Sequence, residues 1–108
     1  MMFFNFLNEP YIAIIGDIKN SKKIVDRGAF QEHLKKILDN INLKYSDCIA
    51  SKFTITLGDE FQGLLTTGNN IMEIIQYIKK EIYPVKIRFG IGIGSISTKI
   101  NSEISIGA

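Results

Sequence analysis

Apolar side chains recur along this chain with two different periods, and the two periods define six elements. Residues 11–16, YIAIIG, are apolar throughout, which is typical of a strand buried on both faces. Elsewhere apolar residues either alternate with polar ones, as in strands, or recur every three to four positions, as in helices. In chain order the predicted elements are a strand at 11–16, a helix at 26–41, strands at 49–57 and 60–65, a helix at 70–82 and a strand at 85–96.

The two helices carry recognisable start and stop signals. Asp26 is the predicted N-cap of the first helix, and Asn69 or Asn70 that of the second, which Pro84 ends. One face of each helix is expected to pack on the core. The residues on these faces are Phe30, Leu34, Ile37, Leu38 and Ile41 in the first helix, and Ile71, Ile74, Ile75, Ile78 and Ile82 in the second.

This order of elements is the split βαβ pattern, which predicts an α+β fold of the ferredoxin-like βαββαβ type. Four antiparallel strands would form one sheet with both helices on one face, in spatial order 4-1-3-2 if crossovers are right-handed. A chain of 108 residues suits one domain. We assign residues 11–108 to that domain and residues 1–10 to an N-terminal extension.

Two segments of the chain end strands with acidic residues. Leu57-Gly58-Asp59-Glu60 separates two strand-like runs and is a strong hairpin signal, and Asp17 closes the first strand. In the predicted strand order these acids meet at one corner of the sheet. Each also has a purely structural explanation, since Gly-Asp suits a tight turn and an acid after a strand often caps a loop.

Carboxylates that converge in this way can hold a divalent cation between them. Oxygen ligands without histidine suit Mg²⁺ or Mn²⁺ rather than zinc, and such ions take further ligands from water and phosphates. A nucleotide is therefore the natural partner. The backbone N–H groups of Ile18, Lys19, Asn20 and Ser21 could bind its phosphates, with charge added by Lys19, Lys22 or Lys23.

Composition excludes several classes of protein. One cysteine, Cys48, and one histidine, His33, leave neither an internal disulfide nor a zinc cluster, so a reducing cytoplasm is the expected compartment. No segment approaches the roughly 20 apolar residues of a membrane span. The net charge of +2 is scattered and does not by itself indicate a nucleic-acid partner.

Glycines alternate in the fourth strand, at positions 90, 92 and 94, on the face that also carries Lys86 and Arg88. Glycines in a strand allow a helix, another backbone or a ligand to come close. The simpler explanation is that a helix packs on the sheet at these positions. For the two cations the simpler explanation is a solvated strand face.

Five segments together resemble the SatD family from about residue 11 to the last residue. They are YIAIIGDIKNSKK, DRGAFQ, ASKFTITLGDEFQGLL, YPVKIRFGIGIGSI and SIGA. Members of this family usually continue into a further stretch and, in many cases, a helix-turn-helix region. The resemblance therefore implies a domain truncated at its C-terminus, with any DNA binding located in a region absent from this chain.

The SatD family in turn resembles the nucleotidyl cyclase and palm-domain superfamily. LGDEF, at 57–61, is similar to the GGDEF signature of diguanylate cyclases, with Leu57 in place of a glycine that normally makes room for a guanine nucleotide. The resemblance implies metal ligation by Asp17, Asp59 and Glu60, of which the two aspartates would be catalytic. Gly58 and Arg88 complete the nucleotide-binding positions.

Two functions follow from this resemblance. The first is Mg²⁺- or Mn²⁺-dependent binding of a nucleoside triphosphate, with nucleotidyl cyclase or transferase chemistry, in which a homodimer would complete the site. The second is a catalytically degenerate module that senses nucleotide or dimerises. Formation of a cyclic or linear nucleotide product distinguishes them.

Overall fold

The computed structural model describes residues 11–94, which form a four-stranded antiparallel sheet with two helices. The strands lie in the order β2-β3-β1-β4, so the predicted α+β fold and strand order are confirmed. The predicted N-terminal extension at 1–10 and the predictions for residues after 94 lie outside the described residues. The elements are β1 (Tyr11–Ile18), α1 (Arg27–Lys44), β2 (Ile49–Leu57), β3 (Glu60–Leu65), α2 (Ile71–Ile82) and β4 (Ile87–Gly94), with 3₁₀ turns at Ser21–Lys23 and Ser46–Cys48.

The central position of β1 follows from its apolar sequence. It pairs with β3 on one side and with β4 on the other, and Ile14 lies between Gly63 and Ile91 in the two ladders. Ile14 is completely buried. Its backbone polar groups are bonded to a neighbouring strand on both edges, and Ile14 belongs to the core cluster that the helices complete.

The helices cover one face of the sheet through the residues that their periodicity predicts. Leu34, Ile37, Leu38 and Ile41 of α1 are buried, as are four isoleucines of α2. Asp26 is the N-cap of α1, where its Oδ1 accepts from the Ala29 amide at 3.0 Å.

The second helix begins differently from the first. Asn70 precedes α2 as predicted, but its side-chain amide donates to Glu73 Oε2 at 2.7 Å and makes no capping bond. In the described part of the chain, neither helix has the length and apolar character needed to cross a membrane.

The glycines that receive close packing are not those of β4. A Cβ added at Gly63 would lie 2.5 Å from Cγ of Phe53, and one at Gly16 would overlap the ring of Phe61. At Gly90 and Gly92 the same atom would meet no atom of residues 11–94 within 4 Å. The expectation that a helix packs on these two β4 glycines is therefore wrong, because they lie on the face of the sheet opposite the helices.

Candidate functional site

The predicted acidic corner forms at one end of the β1–β3 ladder. Asp17 lies directly opposite Glu60 in the antiparallel register. The amide of Ile18 donates to the carbonyl oxygen of Asp59 at 2.9 Å, which fixes the hairpin tip against the end of β1. The structure thus places the backbones of all three acids at the same end of the sheet.

The three carboxylates do not share one direction. Side chains alternate along a strand, so Asp17 lies on the face away from the helices, together with its cross-strand partners Glu60 and Arg88. Glu60 Oε1 accepts from the hydroxyl of Thr56 at 3.3 Å. Within residues 11–94 no three Asp, Glu, His or Cys side chains gather closely enough to form a complete metal cluster.

Asp59 faces the 3₁₀ turn that follows β1. Its Oδ2 accepts from the hydroxyl of Ser21 at 2.6 Å, a short bond between a buried serine and a half-buried carboxylate. A hydroxyl donor to one oxygen leaves the remaining lone pairs of the carboxylate for other ligands. Asp59 therefore keeps the acceptor capacity of a metal ligand, and Mg²⁺ usually takes only one or two carboxylates and completes its shell with water and phosphate oxygens.

The hairpin tip is also attached to α1. The side-chain amide of Gln31 donates to the carbonyl of Gly58, and Arg27 lies beside the same glycine. Sequence reasoning did not find Gln31, and it identified Ser21 only through its backbone. A side-chain contact with backbone across 27 residues, or with another side chain across 38, leaves no periodic signal in a sequence.

Two of the four backbone amides predicted to bind phosphate, in the loop after β1, already donate to carbonyl groups of the protein. The amide of Ile18 is bonded to Asp59, and that of Lys19 donates to the carbonyl of Lys86 at 2.9 Å. The prediction therefore rests on the amides of Asn20 and Ser21. Asn20 has φ 54° and ψ 38°, in the left-handed region, and a 3₁₀ turn follows it. Such a reversal can direct successive N–H groups into one concavity, which is a geometry that binds anions.

The remaining predicted residues lie around this corner. Arg88 is exposed and stands opposite Asp17 in the β1–β4 ladder. This position suits a counter-ion of Asp17 as well as it suits a residue that contacts a nucleotide. Gly58 lies at the hairpin tip between β2 and β3. Leu57, which precedes it, is 63% exposed. The roles of these residues stay predictions.

Comparison with known proteins identifies a family and a fold. The model of the SatD family matches residues 11–108. No curated protein matches the chain. The solved structures similar to it include the following three. The first is the catalytic core of a rhodopsin-guanylyl cyclase with converted specificity in complex with ATPαS, with a TM-score of 0.61 and 19% identity over 80% of this chain and 56% of that chain.

The second similar structure is the guanylate cyclase domain of RhGC from Catenaria anguillulae in complex with GTP, with a TM-score of 0.59 and 16% identity over 80% of this chain and 57% of that one. The third is an EAL/GGDEF domain protein from M. capsulatus, with a TM-score of 0.59 and 14% identity over 95% and 83%. The chain thus spans little more than half of the two cyclase structures, and at these identities the likeness shows the fold alone.

Proposed function

This chain belongs to the SatD family, and from that membership and the geometry of its acidic corner we propose that it binds a nucleoside triphosphate together with Mg²⁺ or Mn²⁺. The observation that carries the proposal is the β1–β3 register, which sets Asp17 opposite Glu60 while the Ile18 amide is bonded to the Asp59 carbonyl. Two acids from distant segments are thereby held at one end of the sheet.

Each residue of the corner has a distinct task in this proposal. Asp17 and Asp59 supply carboxylate oxygens, and Ser21 orients the Asp59 carboxylate through its 2.6 Å hydrogen bond. Glu60 adds negative charge on the Asp17 face. A bound divalent ion would neutralise phosphate charge and polarise the phosphoryl group. The amides of Asn20 and Ser21 would receive the phosphates.

The fold comparison is consistent with this ligand class. Two of the similar structures are complexes with ATPαS and with GTP, and both contain cyclase domains. In an enzymatic form of this chain, a 3′-hydroxyl would attack the α-phosphate and pyrophosphate would leave. A second copy of the chain would then complete the site.

One observation favours a second candidate, a module that binds nucleotide without turning it over. Leu57, in the position where the GGDEF signature has a glycine, extends an apolar side chain that is 63% exposed next to the hairpin tip. Such a module would act as a sensor or a dimerisation platform, with its output in regions outside this chain. Incubation with labelled triphosphates separates the two candidates, because only the enzyme forms a cyclic or linear nucleotide product.

Binding is tested by isothermal titration calorimetry with Mg²⁺ or Mn²⁺ and each nucleoside triphosphate. Asp17→Asn and Asp59→Asn retain side-chain shape and remove charge, so each should weaken binding by about tenfold or more, as expected for loss of a charge-assisted contact. Asp39→Asn is the matched control, since Asp39 is exposed on α1 and should bind as the wild type does.

Two outcomes would contradict the proposal. One is the absence of metal-dependent nucleotide binding by the wild type. The other is equal affinity in Asp17→Asn, Asp59→Asn and the Asp39→Asn control. Thermal unfolding followed by circular dichroism verifies that each variant is folded before its affinity is compared.

A further inference from the structure

A second concavity opens beside the acidic corner, on the β4 side of the sheet. Its volume is about 330 Å³, and it is lined by Lys19, Lys79, Tyr83 and Lys86 together with the apolar residues 84, 85 and 87. This volume is at the lower end of the range for small-molecule sites. The concavity is therefore large enough for a compact ligand.

Three lysines from three separate segments of the chain meet in this concavity. Lys19 follows β1, Lys79 lies in the last turn of α2, and Lys86 immediately precedes β4. The amide of Lys19 donates to the carbonyl of Lys86 at 2.9 Å, so the backbones that carry two of these lysines are bonded to each other. Their convergence is therefore a property of the fold.

Among the described residues, no carboxylate lines this concavity. Like charges gathered in one concavity repel, and neither water nor distance removes that cost completely. The dipole of α2 accounts for Lys79, because cations stabilise the C-terminal turn of a helix. It does not account for Lys19 and Lys86, which belong to no helix.

We propose that this concavity, the lysine pocket, binds an anion that carries two or more linked phosphates, in the chemical class of pyrophosphate and triphosphate. Lysine ammonium groups bind phosphate as point charges with three donors each, and three of them balance most of the charge of such an anion. Neither Asp17 nor Asp59 lines the lysine pocket. Anion binding there therefore uses no metal held by these acids, and it does not rest on the function proposed above.

A small anion fits this site better than a strand of nucleic acid does. Proteins that bind single strands place their cations along an extended groove, with successive aromatic rings on which bases stack. Here the three lysines line a single compact concavity, and Tyr83, 82% exposed, is the one aromatic residue in the lining.

The test is calorimetric titration of the whole chain with pyrophosphate and with tripolyphosphate, in the presence of EDTA. The variant Lys19→Gln/Lys79→Gln/Lys86→Gln should bind these anions with an affinity lowered by about tenfold or more, because each ammonium lost removes a charge-assisted contact. The matched control, Lys35→Gln/Lys36→Gln/Lys52→Gln, removes the same charge from exposed positions outside the pocket and should lose much less affinity.

Asp17→Asn and Asp59→Asn should not weaken this metal-free binding, because removal of a nearby negative charge does not disfavour an anion, and this result separates the lysine pocket from the acidic corner. The proposal is overturned if the two lysine variants lose affinity equally, or if the wild type does not bind either anion in EDTA. It is also overturned if a single-stranded oligonucleotide binds the wild type more tightly than tripolyphosphate does, since that result assigns the lysines to nucleic acid.

Discussion

Single residues of the sheet differ sharply in the space around them. Gly63 lies in β3 against the ring of Phe53, whose exposure is 2%. Gly90 lies in β4 on the face opposite the helices, and no atom of the described residues is within 4 Å of the place a Cβ would occupy. Both glycines lie in strands, and neither has a positive φ angle. The difference between them is therefore a difference in packing and not in backbone strain.

This contrast predicts opposite results for the same substitution. Gly63→Ala should lower the free energy of unfolding by about 1–3 kcal/mol, because an added methyl group forces the Phe53 ring out of its place. Gly90→Ala should change it by about 0.5 kcal/mol or less, or raise it, because alanine restricts the unfolded chain at no steric cost. Urea denaturation of the two variants measures both, and equal destabilisation would contradict the packing described for Gly63.

Among the elements, β2 depends on a side chain from a helix. Its pairing with β3 shifts register between Ser51 and Thr54, which interrupts the regular ladder around Phe53. Asn42 of α1 replaces the missing partner: its amide nitrogen donates to the Phe53 carbonyl at 3.0 Å, and its oxygen accepts from the Phe53 amide at 2.8 Å. A side chain thus bonds both polar groups of an irregular strand position.

Removal of this side chain should leave two backbone groups of β2 unsatisfied. Asn42→Leu, which is close to asparagine in size, should therefore cost about 2–4 kcal/mol in unfolding free energy. Asn42→Asp retains the acceptor for the Phe53 amide and loses the donor, so its cost should be intermediate at neutral pH. The order wild type, Asp, Leu in chemical denaturation is the expected result, and a Leu variant as stable as the wild type would rule it out.

The sequence predicted regular features of these elements and missed irregular ones. Alternation defined Ile49–Leu57 and Glu60–Leu65 with the bounds that the structure shows. The Asn42 bridge was not predicted, because an amide side chain on a helix surface looks the same whether it faces water or a bulge. The β4 glycines were misinterpreted for a related reason: periodicity shows that they share a face and does not show what covers it.

For the molecule as a whole, the two helices cover only part of one face of the sheet. Ile14 of β1 and Ile91 of β4 face each other across the ladder on the helix side of the sheet, yet Ile14 is 0% exposed and Ile91 is 51% exposed. The helices therefore cover the middle of the sheet and the beginning of β4, where Ile87 and Phe89 pack on the core. They do not cover its second half.

This boundary predicts unequal costs for two facing residues. Ile14→Thr should destabilise the protein by about 2–4 kcal/mol, because it removes buried apolar volume and buries a hydroxyl. Ile91→Thr should cost about 0.5 kcal/mol or less, since threonine suits an exposed strand position. The free energies of unfolding in urea give both values. A large loss in Ile91→Thr would show that this half of β4 is covered in solution.

At this scale the sequence predicted the topology and the corner, but not the direction of each acid. The split βαβ order placed β1 next to β3, and so brought Asp17 and the hairpin tip to one end of the sheet. Whether the Asp59 carboxylate faces Asp17 or Ser21 depends on turn geometry and on a single hydroxyl. Neither leaves a pattern in the order of residues.

The alternation along β1 links the survival of the core to the survival of the corner. Gly16 and Ile18 face the helices and Asp17 lies between them, so a slip of one residue would bury the aspartate and turn those neighbours outward. Substitutions elsewhere that preserve the hydrophobic core therefore also preserve the face of the sheet on which Asp17 lies. A variant with an intact core therefore carries the residue at position 17 on the same face of the sheet whether or not that residue binds a ligand.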